Sequence, residues 1–276
     1  VDLLLWTFRR NENDVVKLYD ALSPIMEIST GGDMLNFGYW NASTNNPVDA
    51  QKQLCVMIGD ISEISSAKII ADVGSGLLGP AKIWSSQYPL LDISSVNVNF
   101  SQLSSANARN ITKINSTARM LPFSDCSLDR VIALESAQHF KPIGDFFSES
   151  YRVLKENGIL TLAIPTRMGD SGLTDLGILK FTWSSEHYSK NHLINKLKEN
   201  NFEIIGSQEI GSNVYPPLAD YYLTHRDKLR KKILSKYSSY VETILFESMK
   251  KMKSSSEDGK IGYMIIKCKK LALDPC

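Results

Sequence analysis

The sequence predicts an α/β protein built on a doubly wound, mostly parallel sheet. Short apolar segments alternate with amphipathic segments from residue 68 to residue 205, which is the pattern of parallel strands joined by crossover helices. A glycine-rich turn at residues 72–79 directly follows the first apolar segment. Such a turn brings bare backbone close to a ligand, and the helix start at 81–84 offers free amide groups to it. The turn therefore predicts a nucleotide site around which the other elements are arranged.

Two helices are predicted ahead of the turn. Residues 14–29 place apolar side chains at three-four spacing, which is typical of a helix with one buried face. Pro47 suits the first turn of the second helix, with Asn46 as its cap. Between these helices, residues 36–40 form an aromatic loop around a glycine.

The remaining segments predict seven strands and five further helices. The strands are expected at residues 68–73, 95–98, 111–114, 128–134, 159–164, 202–205 and 263–268, and the helices at 81–88, 101–109, 143–154, 189–201 and 219–252. Asn157 with Gly158 is expected to end the helix at 143–154, since glycine is common just past helix ends. Pro216 and Pro217 are expected in a loop, and the serines at 254–256 as a flexible break.

Composition argues against several broad classes. A formal net charge of +1 is too small for a general nucleic-acid surface. No apolar run approaches the roughly 20 residues that cross a bilayer, and in residues 1–10 the charges follow the apolar stretch, the reverse of a secretion signal. The cysteines are scattered and are expected as reduced thiols of a cytoplasmic protein; they are Cys55, Cys126, Cys268 and Cys276. No two histidines have metal-ligand spacing, so no metal is expected.

Two nucleotide cofactors are compatible with the turn itself. Residues 74–79 spell Gly-x-Gly-x-x-Gly, a string that dinucleotide-binding folds use but that is weak on its own. A dinucleotide site also needs an acid at the end of the second strand, whereas Asp92 precedes that strand. The alternative is the first motif of class I S-adenosylmethionine-dependent methyltransferases, an acid, any residue, then Gly-x-Gly-x-Gly. The acid and two glycines of residues 72–76 match this motif, and Leu78 replaces its third glycine.

Four further segments favour the methyltransferase. They are residues 36–40 (Asn-Phe-Gly-Tyr-Trp), 121–129 (Leu-Pro-Phe-Ser-Asp-Cys-Ser-Leu-Asp), 135–140 (Glu-Ser-Ala-Gln-His-Phe) and 152–158 (Arg-Val-Leu-Lys-Glu-Asn-Gly). In this order the chain resembles the small-molecule branch of the class I methyltransferases, which includes tocopherol, sarcosine/dimethylglycine and natural-product sugar O-methyltransferases. The resemblance implies a seven-stranded sheet of the Rossmann-like methyltransferase type, with an antiparallel last strand and an N-terminal helical cap.

The resemblance also implies one methyltransferase domain over residues 1–276. Residues 1–66 would be the helical cap and residues 67–165 the cofactor-binding core. Residues 166–276 would hold the substrate region and the C-terminal strands, with the irregular stretch 166–188 as a lid or substrate loop.

Residues that match the family's motifs receive implied roles. S-adenosylmethionine is expected to contact Tyr39, Trp40, Asp72, Gly74, Ser75, Gly76, Asn97, Val98, Gln102, Thr117, Ala118 and Leu134. Glu135 and His139 are expected as catalytic residues where methyl acceptors dock, with His139 the candidate general base for a hydroxyl acceptor. Trp183, Tyr188 and Tyr215 are candidates for the acceptor pocket. Because the sulfonium already activates the methyl group, catalysis is expected to rest mainly on positioning.

The implied function is methyl transfer to a small, partly apolar molecule, with oxygen, nitrogen and carbon acceptors all open. The expected partner is this acceptor, without nucleic acid or stable membrane insertion, and a homodimer is compatible with the sequence. Three residues depart from the family's pattern. Leu78 is expected to crowd the turn, and Asn97 and Thr117 stand where the family usually has acids for the ribose and the adenine. These departures support an alternative, a non-catalytic methyltransferase-like binding or scaffold protein. A nicotinamide-dependent oxidoreductase has only the literal glycine string in its favour.

Overall fold

The computed structural model of the chain describes residues 11–169 and 173–272. Within them the helices are α1 (Glu12–Thr30), α2 (Pro47–Ile61), α3 (Gly79–Gln87), α4 (Phe100–Ser105), α5 (Ile143–Val153), α6 (Leu179–Thr182), α7 (Lys190–Glu199), α8 (Tyr215–Thr224), α9 (Arg226–Leu234) and α10 (Ser239–Glu257). The strands are β1 (Ile69–Val73), β2 (Asp92–Asn97), β3 (Thr112–Asn115), β4 (Leu128–Leu134), β5 (Leu154–Arg167), β6 (Phe202–Glu209) and β7 (Ile261–Lys270).

The strands form one sheet in the order β3-β2-β1-β4-β5-β7-β6. Strands β1 to β5 pair in parallel, and β7 runs antiparallel to both β5 and β6. The predicted doubly wound sheet with one antiparallel strand is therefore confirmed. The strand order reverses between β1 and β4, and the carboxyl ends of the strands at such a point flank the crevice in which ligands bind.

Alternate residues of the strands enter two cores, one on each face of the sheet. Ile70 of β1 shares one core with Trp84 of α3. On the opposite face, Val131 of β4 shares a core with Phe146 of α5 and Leu193 of α7. The central strands are thus buried on both sides, which explains why the sequence shows nearly continuous apolar runs there.

The N-terminal helices form the expected cap. The side chain of Asn11 accepts the amide of Asp14 at 3.1 Å at the start of α1, and Asn46 caps α2 as predicted. Leu18 and Ile25 of α1 join residues of α8, α9 and α10 in a third core. This core holds α1 across the carboxyl ends of the strands.

Expectations for the C-terminal helices are wrong in three places. Residues 219–252 lie in three helices, because one continuous helix of that length would extend about 50 Å and could not fold its apolar residues onto the third core. Pro216 and Pro217 lie in the first turn of α8, where the missing N–H of proline leaves no hydrogen bond unmade. Residues 254–256 continue α10, and Ser255 is buried.

The connection from α5 to β5 also differs from expectation. The helix ends at Val153, and Asn157 and Gly158 lie inside β5 instead of capping the helix. Asn157 adopts a φ of 60° at the point where the pairing of β4 with β5 shifts register. Asn157 therefore accommodates the left-handed backbone at this irregularity in β5, and does not end the helix.

The cysteines do not all match the expected reduced state. Cys126 is disulfide-bonded, so the expectation is wrong for this residue, because spacing in the sequence does not reveal pairing. Cys55 and Cys268 are free and buried, and burial raises the pKa of both thiols. Cys276 and the charge order of residues 1–10 lie outside the described residues.

Among the described helices, none has the length and apolar character needed to cross a membrane. The cytoplasmic location, the homodimer and the absence of a nucleic-acid partner stay predictions.

Candidate active site

A cleft runs along the carboxyl ends of β1, β2 and β4 beneath α1, and encloses about 990 Å³ together with its open mouth. Most of the predicted site residues line it. They are Asp72, Gly74, Ser75, Gly76, Asn97, Val98, Gln102, Ala118, Leu134, Glu135 and His139. The parallel sheet brings these residues together because each set follows a neighbouring strand.

The glycine-rich turn places Gly74 and Gly76 in the left-handed region, with φ of 78° and 53°. The amide of Gly74 donates to the carbonyl of Val96 at 2.7 Å, which ties the turn to β2. A Cβ on Gly74 would lie 2.3 Å from the Cβ of Ser136, so glycine is needed there for packing. Among the described residues, a Cβ on Gly76 would meet only Cδ1 of Leu35, at 3.7 Å. Gly76 therefore presents bare backbone to the cleft.

Leu78 lies outside the cleft wall, although its neighbours Leu77 and Gly79 line it. It directly precedes α3 with a φ of 66°, and its side chain is fully buried in the core that contains α2 and α3. The expectation of crowding is wrong, because the left-handed backbone at Leu78 turns its side chain into the core. One reason for the scaffold alternative is thereby removed.

Asn97, at the end of β2, fixes the turn with its side-chain amide. Its Nδ2 donates to the carbonyl of Gly76 at 3.2 Å and to Oε1 of Gln102 at 2.9 Å. Nε2 of Gln102 donates in turn to Oγ of Ser23 in α1, at 3.2 Å. The two residues expected at the ribose thus form a buried network between the turn and α1. Their contact with the ribose stays a prediction.

Two carboxyl groups face the cleft, that of Asp72 buried and that of Glu135 half-buried. Asp72 is 2% exposed, and its Oδ2 has no hydrogen-bond donor among the described residues. Burial raises the pKa of Asp72 to about 7. Glu135 accepts from the hydroxyl of Tyr263 at 2.8 Å and from the amide of Phe37 at 2.9 Å. Burial outweighs these bonds and raises the pKa of Glu135 to about 8.

His139 contacts a hydroxyl group at each ring nitrogen. Its Nε2 lies 2.8 Å from the hydroxyl oxygen of Tyr19 in α1, and its Nδ1 lies 2.6 Å from Oγ of Ser185. The rings of Tyr19 and His139 meet edge to face, with their centroids 5.3 Å apart. This geometry suits the transfer of a proton between a hydroxyl group and the imidazole.

A second cavity adjoins the cleft and encloses about 1040 Å³ with its mouth. Tyr19, Leu35, Asn36 and Glu135 line both spaces, so the two meet at these residues. The other walls come mainly from α1, α8 and α10 and are mostly apolar. They include Leu22, Met26, Phe37, Trp183, Leu218, Tyr221, Tyr222, Leu245, Met249 and Met252. We refer to this space as the apolar cavity.

Of the aromatic candidates for an acceptor pocket, Trp183 lines the apolar cavity. Tyr188 packs on the opposite face of the sheet, and its hydroxyl donates to the carbonyl of Phe140 at 2.7 Å. Tyr215 is fully buried, and its ring meets that of Phe37 edge to face. The structure therefore brings only the first of these three to the cavity wall.

Two predicted cofactor residues, Tyr39 and Trp40, lie outside the cleft wall. Trp40 packs in the third core, with its ring centroid 5.7 Å from that of Tyr221. The amide of Tyr39 donates to the carbonyl of Ala50 at 2.9 Å, and its side chain packs against the core that contains α2. The loop thus runs along α2 and toward α8, which takes the tryptophan away from the glycine-rich turn.

Thr117, also predicted at the cofactor, reaches the cleft through a second residue. Its hydroxyl donates to a carboxylate oxygen of Glu12 in α1, and Glu12 lines the cleft. Sequence patterns do not reveal the roles of Glu12 and Tyr19, because these residues lie 105 and 120 residues from their partners in the chain. A carboxylate and a hydroxyl on one face of a capping helix were the only signal.

Comparison with known proteins gives the family. A family profile described as "Methyltransferase domain" matches residues 71–162, which run from β1 into β5. The chain is 27% identical to Erythromycin 3''-O-methyltransferase of Saccharopolyspora erythraea, over 94% of this chain and 89% of that protein. The chain is a class I S-adenosylmethionine-dependent methyltransferase.

Solved structures share the fold of this methyltransferase. The [4+2]-cyclase SpnF superposes with a TM-score of 0.77 at 20% identity, over 94% of this chain and 96% of that one. A structure described as a putative sarcosine dimethylglycine methyltransferase from Galdieria sulphuraria has a TM-score of 0.77 at 16% identity, over 91% and 98% of the two chains.

The cleft of the methyltransferase fits S-adenosylmethionine. Among the described residues that line it are four acids, Glu12, Asp33, Asp72 and Glu135, but no lysine or arginine. The ammonium group of the cofactor can donate hydrogen bonds to such acids, whereas the pyrophosphate of a nicotinamide cofactor would meet no lysine or arginine among the described lining residues. The unpartnered, buried Oδ2 of Asp72 also calls for an N–H donor. The oxidoreductase alternative is thereby disfavoured.

Proposed function

We propose that this methyltransferase transfers a methyl group to a hydroxyl group of a small, partly apolar molecule held in the apolar cavity. The observation that carries this proposal is the junction of the cavity with the cofactor cleft at Tyr19 and Glu135. A molecule in the cavity meets a cofactor in the cleft there. The name of the relative Erythromycin 3''-O-methyltransferase specifies transfer to oxygen, which favours a hydroxyl group over a nitrogen or carbon acceptor.

The proposed domain organisation follows from the walls of the two spaces. Strands and turns of residues 67–165 supply most of the cleft, and the cap of residues 1–66 covers it. The cap and residues from 166 onward supply most of the apolar cavity. The core would then bind the cofactor, while the cap and the C-terminal region would select the acceptor.

The chain itself supplies mainly position and a dry environment. Bound S-adenosylmethionine brings a methyl group that its sulfonium already activates. Apolar walls such as Leu22, Met26 and Met252 exclude water from the acceptor. Holding the acceptor oxygen in line with the methyl group converts a bimolecular reaction into an effectively unimolecular one.

The acceptor proton would leave through Tyr19 and His139. Tyr19 lines both the cleft and the cavity, whereas His139 lines the cleft and stands behind Tyr19. The acceptor hydroxyl donates to the Tyr19 oxygen, and the Tyr19 proton passes to Nε2 of His139 while Ser185 orients Nδ1. Glu135 keeps its own proton below about pH 8, so it is the weaker candidate for the base.

A labelling experiment tests the proposal. Purified enzyme is incubated with methyl-labelled S-adenosylmethionine and a library of hydroxylated natural products, each paired with its O-acetylated form and with its amine analogue. Label on the oxygen of free alcohols, but not of their acetylated partners, is expected. Label confined to the amines or to carbon would contradict hydroxyl transfer. Tight binding of S-adenosylhomocysteine without any transfer would favour the scaffold alternative.

A further inference from the structure

The direction in which a cofactor lies in the cleft follows from α1. Glu12, Val15, Val16 and Tyr19 of this helix line the cleft, and Tyr19 also begins the wall of the apolar cavity. Because the reacting methyl group must face that cavity, the sulfonium belongs beside Tyr19. The adenosine then extends toward the first turn of α1. Glu12 lies seven residues from Tyr19, which is about 10 Å along the helix axis.

The end of the cleft around Glu12 is suited to a flat heterocycle. Val15 of α1, Val98 after β2 and Ala118 after β3 supply apolar walls there. Asn99 and Ser116 also line the cleft after these strands, and the ionisable group at this end is the Glu12 carboxylate. A planar base would fit with its faces against these apolar side chains. Its hydrogen-bonding edge would then point toward the carboxylate, which could recognise it.

One carboxylate oxygen of Glu12 is held by Thr117. Its Oε1 accepts from the hydroxyl of Thr117, whose oxygen in turn accepts from the amide of Arg119 at 3.2 Å. Among the described residues no donor contacts Oε2 of Glu12. Thr117 therefore fixes the carboxylate, and Oε2 is available to a ligand that donates an N–H.

We infer that Glu12 accepts a hydrogen bond from the exocyclic amine of the cofactor's adenine, with Thr117 as the residue that positions it. Adenine offers this amine as an N–H donor, and a hydrogen bond to a carboxylate is stronger than one to a neutral acceptor. This inference rests on the proposed function, because the placement of the acceptor in the apolar cavity sets the direction of the cofactor. A side chain of the N-terminal helix thus recognises the base, where sequence comparison suggested only the weaker hydroxyl of Thr117.

Calorimetric binding of two nucleosides tests the inference. S-adenosylhomocysteine carries the amine, and S-inosylhomocysteine replaces it with a carbonyl oxygen. The wild-type protein should prefer the first by about 10- to 100-fold, the range expected for a hydrogen bond to a charged group. Glu12→Ala should lose most of this preference, mainly through weaker binding of S-adenosylhomocysteine. Glu27→Gln, an exposed change on the same helix, should leave the preference unchanged.

Variants of Thr117 test whether its hydroxyl group positions Glu12 or only supports the fold. Thr117→Val should reduce the preference for the amine, and Thr117→Ser, which retains the hydroxyl, should restore it. Thermal melting of each variant checks the fold. A Glu12→Ala protein that still prefers the amine as strongly as wild type would overturn the inference but leave the proposed function standing. If Glu12→Ala instead loses the preference for S-adenosylhomocysteine over its 2'-deoxy analogue, Glu12 contacts the ribose. That result would also overturn the inference. Failure of the wild type to bind either nucleoside would refute both.

Discussion

Replacement of Gly76 by leucine is expected to block cofactor binding while the fold is kept. Because φ at Gly76 is 53°, a side chain there costs about 1–2 kcal/mol of stability. Packing adds little, since in the part of the chain that the structure describes a Cβ would meet only Leu35, at an ordinary distance of 3.7 Å. The rest of the side chain must enter the cleft. Steric overlap between the leucine side chain and a bound cofactor should cost about 3 kcal/mol. This cost weakens cofactor binding about 100-fold.

The assay combines two measurements on each protein. Calorimetry gives the Kd of S-adenosylhomocysteine, and urea denaturation gives the free energy of unfolding. Gly74→Ala is the matched control, because its Cβ would lie 2.3 Å from that of Ser136. It should lose more stability than Gly76→Leu, through a clash within the protein. A folded Gly76→Leu protein whose Kd stays within roughly threefold of wild type would refute the placement of the cofactor at this turn.

The buried acid, the Tyr19–His139 pair and the apolar cavity each predict a separate result. Burial raises the pKa of Asp72 to about 7 in the folded protein, whereas an unfolded aspartate titrates near about 4. The folded state therefore binds the extra proton between these values, and the free energy of unfolding should fall as pH rises from 5 to 7, by about 2 kcal/mol more in wild type than in Asp72→Asn. Urea denaturation at both pH values measures this, and equal slopes in the two proteins would contradict it. Tyr19→Phe should lower kcat about 100-fold and flatten the pH profile of kcat, with the Kd of S-adenosylhomocysteine nearly unchanged; a wild-type kcat would exclude Tyr19 from proton transfer. Leu22→Trp should fill part of the apolar cavity and raise the acceptor KM about tenfold without changing cofactor affinity. An unaltered KM would show that the acceptor binds elsewhere.

Local patterns in the sequence were sufficient to predict the strands of the sheet. β4 runs over Leu128–Leu134, as its apolar run predicts, because a buried strand needs apolar residues on both faces. Patterns failed where tertiary contacts decide. The amphipathic period from residue 219 onward continues through α8 to α10, and only the third core, assembled with α1, requires the chain to fold back there.

The residues of the candidate site also fall into those that local sequence patterns could place and those that depend on tertiary contacts. Residues that directly follow a strand, such as Gly76 and Glu135, could be placed because parallel strands end at one edge of the sheet. Leu78 could not be placed, because its orientation depends on a left-handed backbone that the residue type does not suggest. Glu12 and Tyr19 were missed since their partners are far away in the chain.

Helix α1 is a wall shared by the cofactor cleft and the apolar cavity. Its side chains reach the segments after three strands, through Glu12 with Thr117, Tyr19 with His139, and Asp20 with Asn99 at 2.9 Å. Because α1 lines both spaces, a ligand that fixes this helix from one side is expected to fix the wall of the other space as well. Each ligand then raises the affinity for the other by the same factor, since such coupling is reciprocal. A compound that binds only in the apolar cavity should therefore be a mixed inhibitor with respect to S-adenosylmethionine, with a lower inhibition constant for the cofactor-bound enzyme, and it should inhibit more strongly as the cofactor becomes abundant.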